Sequence, residues 1–192
     1  MWLARLGLGY IKREIRIAGI DDGCLNNAEK LRRRFLVGVV YRGGSWIDGV
    51  FKLKVRGECL DLTNRLAKTI KNSSHYGQIR LIMLNKLLFW GLNPLNPSKL
   101  NKKLKKPVMI VASKPLKVES VKNLDPSDLD KFKKPLKIEV LNRLNFYVYL
   151  YGLSLKEAEK VLEVTVFDEL PEPLKVARLI AKSLNSSLTQ NI

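Results

Sequence analysis

The sequence predicts a mixed α/β sheet with helices on both faces, and three observations carry that prediction. IRLIMLN (79–85) and PVMIVAS (107–113) are continuously apolar, as central strands covered on both sides must be. FLVGVVYRGGSWIDGVFKLKV (35–55) reads as two strands around Gly43 and Gly44, a pair suited to a tight hairpin turn. DLTNRLAKTIKNS (61–73) instead spaces Leu62, Leu66 and Ile70 by four residues, which aligns them on one face of a helix.

Taken in order, residues 1–12 begin MWLARLGLGY, apolar but broken by Arg5 and glycines. The stretch is too short to span a bilayer and has no small-residue cleavage site, so a loose or docked N-terminal segment and no membrane partner are expected. Residues 15–21 form the first strand, and IRIAGIDDGCL ends it on two adjacent aspartates, Asp21 and Asp22, before Gly23. Like charges side by side repel unless a positive group lies near; the plain alternative is an Asp-Gly turn. The hairpin and the 61–73 helix follow, with Asp61 placed to cap the first helical amides.

A Pro- and Lys-rich connection separates strands 79–85 and 107–113. VESVKNLDPSDLDKF (118–132) is loosely helical and broken near Pro126, and LKIEVLNRLNFYVYLYG (136–152) supplies one or two more strands. Two helices close the chain: SLKEAEKVLEV (154–164) starts at the cap Ser154, and PEPLKVARLIAKSL (171–184) opens with prolines tolerated in a first turn. Leu174, Ala177, Ala181 and Leu184 make the apolar stripe of the last helix.

The 192 residues suit a single domain. Lys and Arg outnumber Asp and Glu 35 to 18, a formal net charge of +17, with clusters in EKLRRRF (29–35) and KLNKKLKKP (99–107). Arg32, Arg33, Arg34, Lys102, Lys103, Lys105 and Lys106 are therefore candidate contacts to a polyanion, nucleic acid first. A Lys-rich surface also serves solubility or heat resistance, and composition alone does not choose. Cys24 and Cys59 are too few for a disulfide framework, and a reducing, cytoplasmic setting fits them. His75, the one histidine, has no partner motif for zinc or nucleophilic chemistry, and no glycine run has phosphate-loop spacing. Tyr41, Trp46, Phe89 and Trp90 can stack on bases, but beside strand runs they are expected in the core.

Functional groups of open α/β sheets gather at strand ends, where Asp21 and Asp22 lie. The ordered set REIRIAGIDDG, VGVVYRGGSWIDGV, DLT, QIRLIMLN with GLN, PVMIVASKP and PEPLKVARLIA resembles an archaeal family of unknown function related to endonuclease V, over roughly residues 12–185. The resemblance implies a ribonuclease H-like sheet, an antiparallel hairpin joined to parallel strands. It also implies an activity that cuts nucleic acid near a deaminated base with Mg²⁺ held by carboxylates. Under it Asp21 matches the first-strand aspartate, Asp61 (or alternatively Glu58) the glutamate after the hairpin, and Lys114 the basic residue after a later strand. Asp21, Asp61 and Lys114 are then the catalytic candidates, and Asp21, Asp22, Glu58 and Asp61 the metal-ligand candidates.

Two positions depart from the endonuclease V pattern that the resemblance implies: Asn85 stands where endonuclease V has an aspartate, and Arg178 where its last helix carries another. Exchanging a carboxylate for a guanidinium about 4 Å from a divalent ion alters binding by several kcal/mol at an effective dielectric near 20. A degenerate site with weak or absent Mg²⁺ is expected, with Arg178 neutralising Asp21 or Asp22 in the metal's place; the alternative is a solvated arginine beside the stripe. Three functions compete: a nucleic-acid-binding protein on this scaffold, an active Mg²⁺-dependent endonuclease on DNA or RNA with deaminated bases, and a non-catalytic protein-interaction module or homo-oligomer.

Overall fold

A computed structural model describes residues 11–23, 34–57, 59, 61–91, 93–116 and 134–189. The expected helix at 118–132, and Cys24, Arg32, Arg33 and Glu58, lie outside the described residues. Nine strands are described: β1 (Arg16–Asp21), β2 (Arg34–Arg42), β3 (Trp46–Val55), β4 (Leu81–Leu84), β5 (Leu88–Phe89), β6 (Asn93–Pro94), β7 (Val108–Ala112), β8 (Leu136–Val140) and β9 (Leu144–Tyr151). The described helices are α1 (Leu62–Lys71), α2 (Pro97–Leu104), α3 (Leu155–Thr165) and α4 (Glu172–Thr189).

Seven strands form one sheet in the order β3-β2-β1-β4-β7-β9-β8. β1 is antiparallel to β2 and parallel to β4, and β4 is parallel to β7, so the strand ending at Asp21 is internal, with the hairpin on one side and the apolar strands on the other. This is the expected mixed order. The continuous apolar runs follow from burial on both faces. Ile82, Leu84, Val108 and Ile110 pack with Leu62, Leu66 and Ile70 of α1 and Leu100 and Leu104 of α2. Their sequence neighbours Leu81, Met83, Met109 and Val111 pack with Val161 and Leu162 of α3 and Leu174 of α4. Farther along α4, Ala177 and Ala181 cover Val37, Val39 and Tyr41 of β2.

Three expectations need correction. The 86–106 connection is not featureless: it holds the β5–β6 ladder and α2, which the Asn96 side chain caps through the Lys99 amide at 2.7 Å, with Pro97 in the first turn. Asp61 occupies the N-cap position of α1 without capping it, since its carboxylate accepts from the Asn64 side chain instead. Trp46 is 70% exposed on the edge strand β3, while Tyr41, Phe89 and Trp90 are buried as expected.

Candidate functional site

Two glycines place α4 directly on the strand that ends in the aspartates. A Cβ at Gly19 would overlap the Pro173 carbonyl, and one at Gly23 would overlap the Lys182 backbone. Gly23 also sits at φ +75°, a conformation that penalises any side chain. Arg178 lies between Pro173 and Lys182 along the helix, as Asp21 lies between Gly19 and Gly23 along the strand. Close backbone approach therefore brings the two side chains together.

Arg178 Nε stands 3.4 Å from Asp21 Oδ2, the Asn85 Nδ2 amide donates to the same oxygen at 2.8 Å, and the Gly23 amide donates to Oδ1 at 2.7 Å. Asp22 turns the other way: Oδ1 meets Lys86 Nζ at 2.7 Å, and Oδ2 accepts from the Trp90 amide at 2.7 Å. Trp90 holds φ 51°, an unfavourable setting for a large residue, and the Asp22 bond helps to fix it there. Asn185 of α4 completes the frame, donating to the Asp22 carbonyl at 3.0 Å while exchanging bonds with both backbone groups of Phe35.

Each aspartate of the repelling pair thus has its own cation. Compensation is incomplete at Asp21, which is wholly buried. Burial pushes its carboxyl above the ordinary carboxylate value and Asp22 adds to that, against the opposing pull of Lys86, the Gly23 amide and Arg178.

Asn85, Lys114 and Arg178 line one cleft of about 600 Å³, beside Ser113, Asn145 and Glu169. The cleft opens beyond the ends of β4 and β7, as ligand sites of open α/β sheets do. Asp21 lies behind this wall. Asp61 is not among the cleft's lining residues, and its carboxylate is engaged by Asn64. The lysine cluster sits elsewhere, because Lys102 and Lys103 end α2, Lys105 caps it and Lys106 precedes β7, all toward the opposite end of the parallel strands. Lys106 is only partly accessible, its Nζ donating to the Ile79 carbonyl at 2.6 Å. Arg34 corrects the expectation of a solvent contact: it is 2% exposed, with its guanidinium 5.8 Å from the Trp90 ring centre.

Lys86 and Asn185 are not candidates on sequence, and Trp90 is read there only as a core or base-stacking ring, not as a backbone donor to Asp22. Lys86 directly follows Asn85, so adjacency to a suspect strand end was the available signal. Nothing local marks Asn185, whose bonds to Asp22 and Phe35 span 163 and 150 residues.

These residues do not fit a divalent cation. Both Asp21 oxygens already accept protein hydrogen bonds, and Asp22 is filled by Lys86 and Trp90. Among the described residues no three His, Cys, Asp or Glu side chains group closely enough to hold a metal ion. One acceptor is open, the buried Asn85 Oδ1, but a single neutral oxygen beside a guanidinium is not a cation cage.

The fold defines an endonuclease V-like scaffold. Ciona intestinalis endonuclease V, solved with a 24mer DNA containing an inosine followed by a ribo-adenosine, aligns over 90% of this chain and 87% of its own with TM-score 0.64 at 13% identity. Human ENDOV gives 0.63 at 15% identity over 92% and 86%. An Archaeoglobus fulgidus protein of unknown function gives 0.69 at 25% identity over 88% and 97%. Residues 13–185 match the Endo_dU family, described as Endonuclease dU, and the chain belongs to that family. A UPF0215 protein of Methanosarcina acetivorans is 36% identical over 186 residues, covering 91% of this chain and 93% of that protein. Among the described residues no helix is long and apolar enough to cross a membrane.

Proposed function

We propose that this protein binds nucleic acid and takes a backbone phosphate into the cleft between Lys114 and Arg178. The observation that carries this reading is the bracing of Arg178. Its Nε faces the buried Asp21 carboxylate, while the side chain remains 43% exposed along the cleft. A guanidinium steadied from behind by a carboxylate presents its remaining N–H donors in a fixed fork, the geometry that suits phosphate. Lys114 adds a second charge, and Ser113 and Asn145 add neutral hydrogen-bonding groups. The excess of basic residues over the whole chain supports a polyanionic ligand.

A second reading, cleavage of DNA at deoxyuridine, is favoured by the family's description. Both are tested with labelled oligonucleotides of one sequence containing deoxyuridine, deoxyinosine or no lesion. Affinity is measured against salt, and products are run on denaturing gels with and without Mg²⁺ or Mn²⁺. Salt-sensitive binding lost in Lys114→Gln with Arg178→Gln supports the first reading, and absence of binding at low salt removes it. Nicking confined to the deoxyuridine strand establishes the second.

A further inference from the structure

At the other end of the parallel strands, Lys12, Arg16 and Arg80 line a separate cleft of about 430 Å³ together with Glu14 and Gln78. Strand direction fixes its position. Arg16 opens β1 and Arg80 stands just before β4, their backbones joined by an Arg80 N–H bond to the Arg16 carbonyl at 2.8 Å. Asp21 and Asn85 lie at the far ends of the same strands, roughly 15–20 Å away at about 3.3 Å per residue.

The cations here are positioned, not merely numerous. Asp48 accepts from Arg16 Nε at 2.6 Å and from Arg42 at 2.8 Å, locking both guanidinium groups, and Asp48 is held below its ordinary carboxylate value by that pairing. Lys106 lies partly buried behind Arg80, its Nζ on the Ile79 carbonyl and 4.6 Å from the Tyr76 ring centre. Burial, and then the field of Arg80, push its ammonium below the ordinary lysine value. Lys102 and Lys103, on the last turn of α2, extend the same end of the molecule. Lining the cleft itself, Lys12, Arg16 and Arg80 stand against one carboxylate, Glu14, while Asp48 outside the lining is already committed to Arg16 and Arg42. A concavity of this size with the Arg16 guanidinium held by Asp48, and with Lys12 and Arg80 beside it, suits a phosphate-bearing anion.

We propose that this cleft is a second phosphate-binding site, for the backbone of a nucleic-acid strand that also reaches, or binds apart from, the cleft of Arg178. It goes beyond the reading of the Arg178 cleft and stands or falls separately. The experiment follows the full chain binding a labelled 30-nucleotide single strand across a salt series, in wild type, Lys12→Gln with Arg80→Gln, and Lys114→Gln with Arg178→Gln. Each phosphate contact contributes about 0.7 to the logarithmic salt slope on a single strand, so Lys12→Gln with Arg80→Gln is expected to flatten it by about 1.4. An unchanged slope and affinity in that variant overturn the proposal, whatever Lys114→Gln with Arg178→Gln does; the converse result retains this site and removes the other.

Inorganic tripolyphosphate separates the source of the phosphate. If its binding is lost in Lys12→Gln with Arg80→Gln while the oligonucleotide slope is unaffected, the site serves a free polyphosphate and the backbone assignment is overturned. Should the double variant fail to fold, Lys12→Glu alone, at an exposed position, is expected to weaken the 30-mer several-fold, and wild-type affinity in it counts against the site.

Discussion

Arg178 and Asp21 meet at 3.4 Å across 157 residues of chain, and their environments differ sharply: the arginine side chain is 43% exposed and the aspartate not at all. Losing Arg178 therefore matters mainly to its partner. Arg178→Ala is expected to raise the Asp21 pKa further and to cost about 1 kcal/mol of stability, a buried-pair penalty discounted for the exposure of one member. The Asp21 carboxyl carbon, followed by NMR through a pH titration, reports the first effect and denaturant unfolding the second. An Asp21 titration identical to wild type would refute the coupling.

The two aspartates should answer differently to the same substitution. Asp22→Asn leaves Lys86, 20% exposed, without its counter-charge, and a loss of about 2 kcal/mol is expected at pH 7. Asp21→Asn removes a charge that burial disfavours and frees an arginine that water can reach, but its single carbonyl oxygen can serve only one of the Asn85 and Gly23 amides. A smaller loss than that of Asp22→Asn is expected, about 1 kcal/mol or less. Equal losses from both variants, measured by urea unfolding, would contradict this asymmetry.

The sign of the pH dependence follows from the same burial. Asp21 has a folded pKa above its ordinary value of 3.8, so the folded chain holds that proton more tightly than the unfolded chain. Its stabilising contribution is complete below 3.8 and is lost as pH rises through the folded pKa. The stability of wild type relative to Asp21→Asn should accordingly fall with rising pH across that window, then level off. A difference that grows with pH would mean the Arg178 and Lys86 attractions outweigh desolvation.

How much of this was legible depends on how far each signal reaches along the chain. β1, the hairpin, α1 and the two apolar strands announce themselves because burial on one or two faces writes a period of a few residues. α2 falls within what composition shows only as a Pro- and Lys-rich connection, although Asn96 before Pro97 is a cap followed by a first-turn proline. At the site, Asp21 and Asp22 stand out locally as a like-charged strand end, whereas Asn85, Lys114 and Arg178 follow only from the resemblance, since no local pattern joins residues so distant in sequence. The Lys86–Asp22 pair and the Asn185 clasp escaped because their partners are fixed only by tertiary packing. Charge counting found the lysines of 102–106 but could not place them away from the aspartates.

Gly19 tests whether backbone approach sets the site. In Gly19→Ala the added methyl meets the Pro173 carbonyl and must push α4 off β1, with a cost of about 1–3 kcal/mol expected for overpacking. Displacing α4 should also loosen Arg178 from Asp21 and so weaken oligonucleotide binding beyond what lost stability explains at a temperature where the variant stays folded. Wild-type binding with reduced stability would show that the site tolerates the shift.

The decisive test of the donor set is to rebuild it. The unmodified chain offers Asp21 with both oxygens occupied, a neutral Asn85 and a cation, so 10 mM Mg²⁺ or Mn²⁺ is expected to raise its unfolding free energy by less than about 0.5 kcal/mol. Asn85→Asp with Arg178→Asp exchanges the neutral amide and the guanidinium for two carboxylates next to Asp21. With a dissociation constant of about 0.1 mM, 10 mM Mn²⁺ would then stabilise the variant by about 2.7 kcal/mol. Without metal the same variant should be less stable than wild type, because three carboxylates share a buried strand end and each disfavours the ionisation of the others. The two signs, destabilised without metal and rescued with it, distinguish a restored cation site from a general effect of charge. Comparable Mn²⁺ stabilisation of the unmodified chain would show that Asp21 and Asn85 already bind the ion and that Arg178 does not stand in for it.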